Sequence, residues 1–319
     1  MNVRTTIRLG VSATVVAALL LPFLFGFNAY VVDLLIDMAL WAAIGIGLNV
    51  VIGFAGLLDL GYMAFYAFGG YAYAILSTTV HLSMWLAFPV ALAAAASAGV
   101  LLGAPTLRLR GDYLAIMTLG FGEIVYLTAN NLSITGGPNG IYGMPTPVFF
   151  GQPMNLTDFY YLALVLVVLA AVVMLRVRQS KLGRAWAYIR EDESAASVVG
   201  INPTMMKLFA YVMGAMWAGL AGVIFVAKQG LISPETFTFE QSFFAVAVVI
   251  LGGMGSIPGV IAGGVLYVVI SEVFQGITGQ YSGLVFSGLM LLIILLRPAG
   301  LIPSRIRQRE IEAQRETQP

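Results

Sequence analysis

The chain has 319 residues, of which 60% are hydrophobic and 10% charged, and a formal net charge of +1; an ordinary soluble domain carries about 25% charge. So little polar surface cannot cover a fold of this size in water, which excludes a soluble enzyme, and no nucleic-acid partner is expected. The absence of cysteine and the single histidine, His81, exclude disulfides, thiolate metal sites, a cysteine nucleophile and an HExxH zinc site, so no cofactor, metal or catalytic residue is expected.

Arg4 and Arg8 precede an apolar run from Leu9 to Phe27. At about 19 residues it is longer than the roughly 7 to 15 of a signal-peptide core, and Gly26, Phe27 and Asn28 form no small-x-small cleavage site, so it reads as a first transmembrane helix. Further spans read as Tyr30 to Ile52, Leu60 to Thr79, Met84 to Ala104, Tyr113 to Asn131, Phe159 to Leu175, Leu208 to Ala227, Phe243 to Gly253, Val260 to Phe274 and Ser282 to Leu296. Most are long enough to cross the roughly 30 Å hydrocarbon core. The expectation is an all-α integral membrane protein, a helical bundle in contact with lipid, with about ten transmembrane helices (range about eight to eleven), some of them discontinuous.

With both termini cytoplasmic, every one of the 16 Lys and Arg residues except Lys228 falls on the inner side, as the positive-inside rule requires. The permease domain is then residues 1–303, followed by a charged cytoplasmic tail, 304–319. Two long loops remain. The outer loop, 132–158, contains TGGPNGIYGMPTP, turn chemistry that suits a rigid docking surface, or else a plain tether. Gly136, Gly137, Asn139 and Gly140 are its candidate contacts with a binding protein. The inner loop, 176–207, reads as one helix from about Leu182 to Val199, stopped by Gly200, with Asn202 and Pro203 as cap and first position of the next helix.

No lysine follows a glycine, so there is no phosphate-cradling GxxxxGK[ST] loop and any ATP hydrolysis belongs to another chain. Two Gly-rich interruptions, GFAGLLDLG (53–61) and LGGMGSIPG (251–259), read as breaks in helices, and their similarity hints at an internal repeat around a central path. Ionisable groups within spans are costly and must face protein or water. Asn49, Asp59 and Glu123 are therefore candidates for the translocation path, or else for capping and bonding between helices. Asp33 and Asp37 lie one turn apart on one helix face, and Glu272 lies near the outer end of a span.

The inner-loop segment EDESAASVVGI (191–201) resembles the EAA-type loop through which ABC importer permeases meet their ATPases. The positions concerned are Glu191, Glu193, Ala195, Ala196, Gly200 and Ile201; Ser194 interrupts the usual Glu-Ala-Ala. A short helix with small alanine faces can seat in a groove of a soluble ATPase, whereas a plain surface helix would have no such partner. Over nearly its whole length the chain is similar to the M-type permease subunits of branched-chain amino acid importers. The matching stretches are GLNVVIGFAGLLDLGYMAFYAFGGY, LRLRGDYLAIMTLGFGEIVY, TGGPNGI, LGRAWAYIREDESAASVVGIN, and SPETF with LGGMGSIPG.

That resemblance implies a bacterial inner-membrane importer of leucine, isoleucine or valine, with urea or short-chain amides as alternative cargo. It also implies a second, homologous permease subunit, two cytoplasmic ATP-binding subunits and a periplasmic substrate-binding protein. The competing reading is a self-contained carrier or channel driven by an ion gradient, which has no need of a helical docking element in the inner loop. A membrane-embedded enzyme is excluded because no nucleophile, base and orienting group can be assembled from one His and no Cys.

Overall fold

The computed structural model describes residues 17–106, 109, 111–149, 151–278, 287–288 and 300–303. The first half of the first span, the arginines at 108 and 110, the last span at 282–296 and the tail lie outside the described residues.

The bundle is helical throughout. A helix at 17–24 (α1) leads to α2 (Ala29–Asn49), which runs on as a π-turn (Val50–Phe54), then α3 (Met63–Thr79), α4 (Met84–Thr106) and α5 (Asp112–Asn131). After the outer loop come α6 (Leu156–Gln179), α7 (Lys181–Glu191), α8 (Glu193–Val198), α9 (Pro203–Gln229), α10 (Phe239–Gly252) and α11 (Ile257–Thr278). Among the described residues, six segments are long and apolar enough to cross a bilayer: Ala29–Phe54, Met84–Pro105, Leu156–Gln179, Pro203–Gln229, Pro234–Gly252 and Ile257–Phe274. The protein is an all-α, multi-pass membrane protein. The helix α3, with 17 residues, starts three residues later than its apolar run suggests, because Gly61 and Tyr62 are still turning in from the preceding connection.

Helices α2 and α9 form the centre. From Ala39 to Asn49 all of α2 is buried except Trp41, and α9 buries a stripe of small residues, Gly214, Ala215, Ala218, Gly219, Ala221 and Gly222. These let backbones come close where the bilayer supplies no hydrophobic drive for helices to pack. At the crossing of α3 and α9 a Cβ on Gly69 would collide with the backbone of Gly219. Large apolar side chains on α4, α5 and α6, such as Leu86, Ile116 and Val165, point outward instead, as they do where the neighbour is lipid or another subunit.

The ends of these helices follow local chemistry. Asn155 and Asp158 make a reciprocal capping box at the start of α6. Asn202 accepts from Met205 N ahead of Pro203, and Gly230 closes α9 with φ +65°. The loop between α5 and α6 carries two 3₁₀ turns and the strands β1 (Ile141–Tyr142), β2 (Val148–Phe149) and β3 (Gln152–Pro153). β1 pairs antiparallel with β4 (Leu231–Ile232), in register Ile141↔Ile232, and β2 pairs with β3.

Candidate functional site

The inner loop is two helices, which corrects the single helix expected over 182–199. Ser180 caps α7 through its Oγ, which accepts from Leu182 N at 3.2 Å. At Asp192 the backbone turns extended (φ −153°, ψ 110°), and Asp192 Oδ1 accepts from Ser194 N at 2.8 Å and Ala195 N at 3.0 Å. A carboxylate that satisfies the free N–H groups of a helix start competes with continuing the preceding helix, and here the cap wins.

The end of α8 is a Schellman turn: Ile201 N donates to Ala196 O and Gly200 N to Ser197 O, with Gly200 at φ +84°. Gly200 therefore ends the helix as its residue type requires. Ala196 packs inward, while Glu191, Ala195, Val198 and Val199 are exposed. Glu193 bonds Lys207 at 2.8 Å, a lysine only 4% exposed, and fixes α8 to the first turn of α9. Trp186, fully buried, donates from Nε1 to Met206 O at 2.7 Å and fixes α7 to the same turn. Between α7 and the turn at Gly200 and Ile201 opens a groove of about 490 Å³, edged by Lys181, Arg184 and Tyr188.

Arg190 reaches from α7 into the membrane bundle. Its Nη1 donates to Gly53 O at 2.7 Å, at the π-turn that ends α2. Gly56 (φ +73°) lies so close that a Cβ there would come within 2.8 Å of Arg190 Cγ. The two Gly-rich interruptions meet at this point. Asn49, wholly buried, accepts from Gly255 N at 2.8 Å through Oδ1, while its Nδ2 has no partner among the described residues. A Cβ on Gly53 would come within 2.5 Å of Gly255 N. The breaks thus form one joint beneath α7.

Asp59 sits in the connection 55–62, outside the spanning helices and wholly buried. Its Oδ1 accepts from Gly61 N at 2.9 Å, and Oδ2 has no protein partner among the described residues. Burial pushes its carboxyl up to about 7, opposed by the Gly61 N–H and the neighbouring Thr118 hydroxyl. Glu123 stands apart from both. It is exposed on α5, on a face shared with Tyr113, Ile116, Ile124 and Leu127. Asn49 and Asp59 therefore share the neighbourhood of the helix breaks, and Glu123 does not join them.

At the other end of the bundle Lys228, with its side chain 3% exposed, bonds Asp33 at 2.7 Å and Asp37 at 2.9 Å. The spacing of the two aspartates signals a shared cation, but not which one. The Gly-rich outer loop is tied down: Thr135 Oγ1 donates to Ala129 O, and Gly140 is buried against Ile232 and Ser233, leaving Gly136 and Asn139 exposed. Arg190, Trp186 and Lys207 were not singled out by sequence; only the amphipathic pattern of α7, with two residues facing in, could have pointed to its inner face.

A family model described as the branched-chain amino acid transport system permease component matches residues 30–295. Among curated relatives, the permease protein LivM of Salmonella typhimurium is 45% identical over 321 residues, covering 93% of this chain and 75% of that one. LivM of Escherichia coli is 44% identical with the same coverage. LivH of E. coli, the other permease protein name, is 26% identical over 82% of this chain and 91% of its own. No solved structure matches. With a family model spanning most of the chain and a relative of this identity, the chain belongs to the permease family of branched-chain amino acid transport systems.

Proposed function

We propose that the chain is the transmembrane permease subunit of an ATP-driven importer that carries leucine, isoleucine or valine from periplasm to cytoplasm across a bacterial inner membrane. The observation that carries this reading is the bond from Arg190 to Gly53. It joins a surface pair of helices with a groove beside it to the joint where two broken segments of the bundle meet, which is what a device for passing on an ATPase's motion requires.

In this reading the α7–α8 unit is cytoplasmic, both termini lie on the same side and about ten helices cross the membrane, supported by the one-sided distribution of Lys and Arg. Ala195, Gly200 and Ile201 seat against one of two ATP-binding subunits, with Glu191 at the edge, while the inward-facing Ala196 and the Glu193–Lys207 pair hold α8 on the bundle. A second, LivH-like permease faces α5, so that Glu123 borders the path between the two chains while Asn49 and Asp59 shape its inner end. The exposed Gly136 and Asn139, on a loop held by Gly137 and Gly140, receive a periplasmic binding protein.

The test is uptake of labelled leucine by vesicles holding this chain, the second permease and the two ATPases, with the binding protein supplied. Uptake that requires ATP and all partners supports the reading. Uptake by this chain alone under an ion gradient would replace it with a secondary carrier.

A further inference from the structure

The triad at the outer half of α2 borders a cavity. Asp37 lines a partly open space of about 180 Å³ between α2, α3, α9 and the start of α10, roughly the room of six waters. Its lining is of two kinds. Asp37, Thr236 and Gln241 supply its polar lining, and Leu40, Ile44 and Met63, each nearly or wholly buried, part of its apolar lining.

The charges there do not balance. Lys228 supplies one positive charge against the carboxylates of Asp33 and Asp37, and Glu272, bonded to Tyr30, adds a further negative charge on the neighbouring helix α11. Lys228 is buried by its two partners, yet the side chain of Asp37 remains 34% exposed. A carboxylate in a bundle of such low polarity is stabilised by a second cation on its open side. The same lining offers the Thr236 hydroxyl and the Gln241 carboxamide, both able to donate to an anion.

We infer that this cavity is a subsite for a free, zwitterionic amino acid with an aliphatic side chain. The α-ammonium meets Asp37, the α-carboxylate meets Gln241 and Thr236, and the side chain lies on Leu40, Ile44 and Met63. An apolar pocket with a few convergent polar groups is the usual form of a small-molecule site. The volume excludes a peptide, the net negative charge excludes a simple anion, and the apolar floor disfavours a sugar. This inference rests on the importer reading and adds to it a holding place inside a single permease chain.

The experiment is binding of tritiated leucine to the complete permease–ATPase complex in nanodiscs without binding protein, with each variant first checked for assembly by size-exclusion chromatography. Saturable binding is expected that is competed by isoleucine but not by N-acetylleucine, which lacks the ammonium. Asp37→Asn should weaken it at least about tenfold. Ile44→Ala should shift preference from leucine toward phenylalanine by about tenfold, the scale of a few methylenes in an apolar pocket; general destabilisation would not produce such a shift. Unchanged affinity and preference in both assembled variants would overturn the inference, as would saturable binding of sodium at Asp37 with none of leucine. If ATP-dependent uptake also survives both variants, the importer reading stands and only the subsite falls; if uptake never needs the ATPases, the importer reading falls first.

Discussion

Arg190 donates to the carbonyl of Gly53 at 2.7 Å across 137 positions of sequence, and it does so at the end of a helix whose regular hydrogen bonding has already given way to a π-turn. A carbonyl at a helix end lacks an internal partner, so the guanidinium completes the α2 terminus while anchoring α7. Replacing it by Met should leave the permeases assembled but lower substrate-stimulated ATP hydrolysis and uptake by tenfold or more. Lys, which can still donate once, should recover part of both. Reconstituted vesicles report the two activities; a Met variant with wild-type uptake would mean that the bond serves stability only.

Ala196 packs inward and Gly200 holds φ +84°. Ala196→Trp forces an overlarge side chain against the bundle, at a cost of about 1 to 3 kcal/mol. Gly200→Val places a β-branched residue in left-handed backbone, which costs about 1 to 2 kcal/mol. Both should lift or tilt α8 and uncouple ATP hydrolysis from uptake while the two permeases still copurify. Full uptake in both would remove α8 from the coupling path.

The orientation can be read with single cysteines, since the chain has none of its own. Ser197 on α8 and Thr146 in the outer loop are both exposed. An impermeant thiol reagent applied to intact cells should label Thr146→Cys and spare Ser197→Cys until the membrane is opened. The reverse pattern would invert the topology.

Asp59 has a carboxyl pKa of about 7 in the fold against an ordinary 3.8. Between those values the folded chain keeps a proton that the unfolded chain releases, so stability falls as pH rises through the window and levels off above it. Asp59→Asn retains an acceptor for Gly61 N and removes this dependence. In detergent its stability advantage over the parent should be larger at pH 8 than at pH 4, by at most about 4 kcal/mol, and is read as a larger Tm difference at pH 8. Equal differences at both pH values would mean that burial does not raise this carboxyl above its ordinary value.

Much of this molecule can be read without coordinates, because a membrane span announces itself by length and apolarity: α4, α5 and α9 begin or end within a few residues of their apolar runs. Asn202, Pro203 and Gly200 also act as their chemistry suggests. Less legible was anything set by competition or by distance. Nothing in EDESAAS says that Asp192 will cap the helix after it rather than extend the one before. Nor does sequence say that Lys228 will find Asp37, 191 positions away, or that two glycine-rich breaks will lie against each other. These are outcomes of packing, as is the backbone N–H that each of Asn49 and Asp59 accepts through one oxygen.

The short ladder from Ile141 to Ile232 has a mechanical consequence. It ties the segment that follows α5 to the segment that links α9 with α10, like a stitch across the outer rim. Pulling those helices apart would first have to break the paired backbone groups of the ladder. At this rim the chain is therefore laced rather than open-jawed: α5 and the α9–α10 connection move together unless that stitch is undone.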